Sequence, residues 1–107
     1  MTAAGQLRER VIIEQPVRTP DGAGGADVTW EVLASVWAEV VTLAGTEAML
    51  GARDEARQAH RITIRFRDDV TAQMRLSWRG QALNIRGVRD PDGKRRWLAI
   101  NAEGGAA

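Results

Sequence analysis

His60 is the single imidazole in a chain that has no cysteine and no tyrosine, so acid–base chemistry has one obvious candidate. Histidine titrates near neutral pH and can act as a general base or a pH switch. A base needs a nucleophile and an orienting group in reach, and the spacing around His60 supplies neither. The residue opens the alternating apolar segment HRITIRF, where a strand-start histidine is the simpler reading. A metal would need carboxylates at ligand spacing. The nearest pair, Asp68-Asp69, falls in an expected turn, where aspartate serves local backbone hydrogen bonds. The absence of cysteine removes thiolate zinc, disulfides and a thiol nucleophile, and there is no G-x-S-x-G elbow. This inventory points away from an enzyme and calls for no cofactor and no metal.

Two other groups of residues bear on binding rather than catalysis. Trp30, Trp37, Trp78 and Trp97 would suit a base-stacking platform of the single-strand-binding, OB type. Three of them lie in segments otherwise rich in apolar residues, which favours core or interface packing. Arg61, Arg65 and Arg67, with Arg75 and Arg79 on a later segment, form either a basic stripe for phosphates or a solvated face paired with nearby acids. Both readings stand on sequence alone. The glycine-rich TPDGAGGAD over 19–27 resembles a phosphate-cradling loop only superficially. Such a loop needs a following helix with a placed Lys and Ser/Thr, whereas here a strand pattern follows and turn chemistry predicts a hairpin loop.

Alternation with period two places these residues on strands. Arg10 to Gln15 predicts a first strand, stopped at Pro16, which lacks a ladder donor. Asp27 to Val32 predicts a second. After a break at Ala34-Ser35, Val36 to Leu43 predicts a third, with apolar residues on both faces near its end. Both faces should therefore be covered, by the interior and by a neighbouring subunit or the following arm. Ile62 to Phe66, Met74 to Trp78, Gln81 to Val88 and Arg95 to Asn101 complete the set, with turns at Arg79-Gly80 and Asp90 to Gly93. A mainly β fold follows, a small antiparallel β-barrel of about six to seven strands, since closure removes exposed edges.

The stretch from Val36 to Thr71 organises the chain because a long insertion separates its two strands. Residues 45–59 are rich in Ala, Arg and Glu and predict a short helix on a long loop. Thr46 is the expected N-cap and Glu47 the first helical residue, suited to the positive end of the dipole. Ala48, Ala52, Ala56 and Ala59 share one face with Met49 and Leu50 near its start, and Arg53, Asp54, Glu55 and Arg57 interleave opposite charges. A helix this short is marginal alone, so the arm is expected to be partly mobile until an assembly partner fixes it. Residues 1–9 are expected to be a loose arm and 102–107 a frayed tail, with 1–107 forming one domain.

Net charge is +1, which creates no global attraction to nucleic acid. Its distribution is uneven: residues 1–53 carry four basic and seven acidic side chains, residues 54–107 eleven basic and seven acidic. Of the 15 basic residues 14 are arginine, the residue of planar, bidentate contacts. A GC-rich genome would produce the same bias. No apolar run approaches the roughly 20 residues of a membrane span, and MTAAGQLRER lacks a signal-peptide core. Synthesis in the cytoplasm and no membrane partner are the resulting expectations.

Several motifs stand in order across nearly the whole chain: Gly5-x-Leu7-Arg8-x-Arg10-Val11, the Asp21-Gly22-x-Gly24-Gly25 loop followed by Trp30, and Val36-Trp37-Ala38-x-Val40. They continue with Leu43-x-Gly45-x-Glu47, His60-x-Ile62-x-Ile64-Arg65, Thr71-x-x-Met74-Arg75-Leu76, Gly80, Ile85, Val88-x-Asp90 and Leu98-x-Ile100. In this ordered series the chain resembles the head–tail joining proteins of long-tailed bacteriophages and gene transfer agents, also called head-closure or stopper proteins. The resemblance implies a small β-barrel whose loop carries a short helix, assembled as a homo-oligomeric ring of six or twelve copies beneath the portal and its adaptor. It further implies closure of the channel on packaged double-stranded DNA, a docking surface for tail-terminator or tail proteins, and a place in the virion after synthesis in the host bacterial cytoplasm. By position, the 45–59 arm is the loop expected to reach the channel or a neighbouring subunit, through Glu47, Met49, Arg53, Asp54, Glu55 and Arg57. On charge alone, Arg-rich strand faces set against the acidic N-terminal half would suit ring contacts, and the strand face of Arg61, Arg65, Arg67 and Arg75, beside the arm, is equally placed to line a pore. Two other readings stand beside it, an OB-like single-stranded nucleic-acid-binding module and a tail-terminator ring protein.

Overall fold

The computed structural model describes residues 4–43 and 58–104. Six antiparallel strands close on themselves: β1 (Glu9–Pro20), β2 (Ala26–Thr42), β3 (Gln58–Arg65), β4 (Arg75–Trp78), β5 (Gln81–Arg89) and β6 (Trp97–Gly104). Around the barrel the order is β1-β2-β3-β6-β5-β4, and β4 returns to β1 through Ile12↔Ser77, Ile13↔Leu76 and Glu14↔Arg75. Inward-facing residues alternate as the period requires. Val11, Ile13, Ala38, Ile62, Ile64, Leu76, Leu83 and Ile100 have no exposed surface and fill the interior. Within the expected N-terminal arm, a 3-10 turn at Ala4–Gln6 precedes β1, which begins at Glu9.

Several element boundaries differ from the sequence expectation, each for a physical reason. The second and third expected strands are one 17-residue strand, β2. The apparent break at Ala34-Ser35 is a bulge: Ile13 pairs with Ala34 and Glu14 with Val32, so Leu33 is the extra residue. Pro16 does not stop β1, which continues to Pro20 paired with β2 alone. The β4 partner ends at Glu14, so beyond it β1 has a free edge, the one sheet position that tolerates a missing N–H. β6 starts at Trp97 rather than Arg95 because Arg95 has φ 56° and its amide is held by Asp90 at 2.8 Å.

β3 already includes Gln58 and Ala59, paired with Gly104 and Glu103, so the end of the expected 45–59 helix is strand. The residues expected to be a frayed tail from 102 belong to β6 through Gly104, with Ala102 buried and paired to Ile85 and His60. Ladder partners on both sides, from β3 and β5, hold that end in the sheet. β5 carries a second bulge between Ile85 and Gly87 that turns out Arg86, whose guanidinium donates to Glu103 at 2.8 Å.

The β1–β2 pairing outruns the barrel. From Gln15 to Pro20 and from Ala26 to Glu31 the two strands pair only with each other, giving a free-standing ribbon. At about 3.3 Å per residue it projects roughly 20 Å. Both of its faces meet solvent: Asp27, Thr29 and Glu31 are exposed on one and Val28, 45% exposed, on the other.

Candidate functional site

The expected basic stripe divides. Within β3, Ile62 and Ile64 point inward and Arg61, Thr63 and Arg65 face out. Register then sets Asn101 opposite Arg61, Ala99 opposite Thr63 and Trp97 opposite Arg65, while Arg89 of β5 lies beyond Ala99. Thr63 and Ala99 make a shallow floor, and Arg61, Arg89, Pro91, Asp92 and Trp97 wall a concavity of about 420 Å³. The Arg65 guanidinium lies 5.5 Å from the Trp97 ring centre. Among the described residues Arg61, Arg65 and Arg89 have no ion pair, and Asp92 is already engaged by Arg96 at 2.8 Å. Glu39, opposite Thr63 on β2, and Glu103, opposite Ala59 on β6 and bonded by Arg86, are the acids beside them on this outer face among the described residues.

Arg67 and Arg75 do not join that face. Arg67 donates through Nε and an Nη to both oxygens of Asp69, at 3.0 and 2.8 Å. This bidentate bond holds the Asp69 carboxyl below its usual range and raises the Arg67 guanidinium. Arg75 donates to Glu14 at 2.6 Å and stacks 4.3 Å over Trp30. Arg79 likewise clasps Glu9 with two donors, at 3.2 and 3.0 Å. These three arginines are paired with acids on the surface, whereas Arg61 and Arg65 make no ion pair among the described residues.

The packing expected of the tryptophans is only partial. Trp78 rests against the core, but no tryptophan is among the fully buried side chains and Trp37 is 52% exposed. Each carries an arginine over its ring: Arg10 on Trp37 at 4.2 Å, Arg75 on Trp30, Arg65 on Trp97 and Arg79 on Trp78 at 5.0 Å. Trp30 and Trp37 lie on β2, Trp78 on β4 and Trp97 on β6, each half-buried or exposed, and among the described residues no two indoles stack on one another.

His60 is buried at the β3 end nearest the long β2–β3 connection. Its Nδ1 is 3.0 Å from the Thr42 hydroxyl, its ring meets Trp78 edge-on at 5.3 Å, and Nε2 has no partner among the described residues. Burial pushes its pKa below the ordinary value. Together with the Leu43 N–H bond to the Ala59 carbonyl at 2.9 Å, this pairing ties the base of the connection. Glu47, Met49, Arg53, Asp54, Glu55 and Arg57, expected to contact a channel or subunit, lie outside the described residues.

At the ribbon tip the Asp21 carboxylate accepts from the amides of Ala23 and Gly25 at 2.8 and 3.1 Å, which depresses its pKa. Gly22 and Gly24 take φ +82° and +87°, as the turn demands. The amides a phosphate would use are thus filled by the loop's own acid. Beyond the tip, Asp27, Thr29 and Glu31 share the ribbon face of Val17 and Gln15, and neither Asp27 nor Glu31 has an ion pair among the described residues. Sequence reasoning missed this acidic ribbon face and the part played by Arg89. The alternation Asp27-x-Thr29-x-Glu31 was visible, but how far the ribbon stands from the barrel depends on where β4 and β3 stop pairing.

Comparison with known proteins places this arrangement. A family model described as phage head completion protein matches residues 2–105. The head completion protein gp7 of Enterobacteria phage HK97 is 33% identical over 88 residues, covering 78% of this chain and 79% of that protein. The solution structure of protein SF1141 from Shigella flexneri 2a superposes with a TM-score of 0.75 at 34% identity, covering 98% of each chain. A chain of the virion of a native gene transfer agent particle superposes with a TM-score of 0.70 at 23% identity, covering 94% of this chain and 97% of that one, and so shares the fold. By family model and by curated relative alike, this chain belongs to the phage head completion proteins.

Proposed function

We propose that the protein completes the head of a phage or phage-like particle by forming a ring between the portal or its adaptor and the tail, closing the channel on packaged double-stranded DNA and giving the tail a surface to dock on. As a head completion protein it is a virion component that associates with other virion proteins. The observation that carries the ring reading is the closed barrel from which β2 runs out at its N-terminal end as half of a projecting ribbon. One end of β2 feeds the projecting ribbon and the other feeds the connection over 43–57. A rigid body with a projecting ribbon at one end of a strand and a long connection at the other suits heterologous contacts whose rotation closes a ring. The chemistry supports a structural role: among the described residues the arginines and acids are engaged with one another or lie on open faces, and the single histidine is buried.

Disrupting the gene and imaging particles by negative-stain electron microscopy tests this. Empty or leaking heads beside unattached tails are expected, with recovery on supplying the wild-type gene. Normal filled, tailed particles would refute it. The arm contributes to the same reading: Arg53→Glu with Arg57→Glu is expected to lower particle yield while circular dichroism and the unfolding midpoint of the purified variant stay at wild type. Wild-type yield from that variant removes the arm from assembly.

A further inference from the structure

The ribbon and the basic outer face are complementary in charge and in spacing, yet they belong to different parts of one molecule. Asp27 and Glu31 are four residues apart on one face of a strand, and so are Arg61 and Arg65. At about 3.3 Å per residue each pair spans roughly 13 Å. Between the acids sits Thr29, with Val17 opposite it. Between the arginines lies the floor of Thr63 and Ala99, with Trp97 as a wall. All four charged residues are exposed and without ion pairs among the described residues. A two-stranded ribbon with both faces in water is marginal on its own, and its position beyond the pairing of β3 and β4 keeps it off its own barrel.

We propose that the occupant of the basic face is a second copy of this chain: Asp27 and Glu31 of one copy's ribbon seat on Arg61 and Arg65 of the next, with Thr29 and Val17 over the Thr63–Ala99 floor. The contact rests on the ring reading above and gives it a partner surface. It is heterologous, since the ribbon of each copy leaves its own basic face free for another, and so it propagates from copy to copy. Glu39 beside Thr63 sets the register, because a ribbon shifted by two residues would bring an acid towards it.

Charge exchange tests the contact in cells whose own copy is disrupted, with filled, tailed particles as the readout. Wild-type complementation comes first. If disruption leaves filled, tailed particles, the ring reading falls and this contact with it. Asp27→Arg with Glu31→Arg, or Arg61→Glu with Arg65→Glu, should each lower yield about tenfold or more, since like charges then face each other across the contact. Expressed together, the two variants can alternate with opposite charges matched, and yield should recover. Wild-type yield from either variant alone overturns the proposal. So does failure of the mixture while wild type complements, and loss confined to the arginine variant would assign that face to DNA phosphates instead. If a reversal does not fold, Asp27→Asn with Glu31→Gln reads the same contact: reduced yield supports it and full yield overturns it.

Discussion

His60 shows how far one residue's chemistry depends on its surroundings. Sequence marks it as the only side chain that ordinarily titrates near neutrality, and the fold uses it as a buried prop between Thr42 and Trp78. Burial lowers its pKa in the folded state, so between that value and the unfolded value near 6.5 the unfolded chain binds more protons. Stability therefore falls as pH drops below about 6.5 and levels once the folded form also titrates. The carboxyls of Glu9, Asp21, Asp69 and Asp92 are shifted down and act in a separate window, losing their contribution only as pH falls through the carboxylate range. For Asp92 the cause is the bond from Arg96, backed by the Lys94 amide. Urea unfolding at pH 7.5 and pH 5.5 should show the histidine step, and His60→Leu should flatten it; at the higher pH the lost Thr42 hydrogen bond is partly offset by removal of an Nε2 that has no partner among the described residues. An unchanged pH profile in His60→Leu would assign the step elsewhere. Gly104 offers a second test at this scale. A Cβ there would meet Leu83 Cδ2 and come within 3.2 Å of the Ala82 carbonyl oxygen. Leu83 is fully buried and has little room to yield, so Gly104→Ala should destabilise by about 1–3 kcal/mol. A variant as stable as wild type would mean that this strand end is loose. The arginines were legible one by one but their partners were not: Glu14 and Arg75 are 61 residues apart, Glu9 and Arg79 are 70 apart, and only closure of the barrel joins them.

Among the elements, strands were legible from alternation and their ends were not. Pro16 and Ala34-Ser35 both look like stops, and each is absorbed by the sheet, one at a free edge and one beside a bulge. Local sequence cannot distinguish a strand that ends from one that is kinked, because the difference lies in what its neighbour does. The ribbon follows from the same point. Asp21-Gly22 reveals its turn, but its length comes from β4 pairing with β1 only as far as Glu14. Since no residue from Glu14 to Val32 belongs to the buried core, replacing residues 18–28 by Asn-Gly should leave a folded barrel. The two-residue turn would join Val17 and Thr29, which already face each other. Circular dichroism should keep its β character and the thermal midpoint should move by no more than about 4–8 °C, equivalent to roughly 1 kcal/mol. Particle assembly should be lost. A chain that fails to fold without the ribbon would show instead that β1 and β2 need it to pair.

For the whole molecule, a mainly β barrel was within reach of the sequence, and the strand order was not. Neighbours in sequence need not be neighbours in the wall: β3 turns to β6 rather than β4, and β4 closes on β1. That closure is also where the barrel should be weakest. β4 has four residues and meets β1 through three pairs, whereas β3 and β6 share eight. Its main apolar anchor is Leu76, opposite Ile13, and both are fully buried. Truncation to alanine at such a site costs about 2–5 kcal/mol through lost transfer energy and the cavity left behind, a large part of the roughly 5–15 kcal/mol that holds a domain together. Leu76→Ala should therefore unfold at markedly lower denaturant. Native-state hydrogen exchange should also find the amides of β4 opening at lower free energy than those of β3 and β6 in the wild-type protein. The core is shared by every strand, so Ile100→Ala should lower global stability to a similar degree without singling out the β4 amides. If β4 instead exchanges only with the global transition, the barrel opens as one unit and its seam is as strong as its widest ladder.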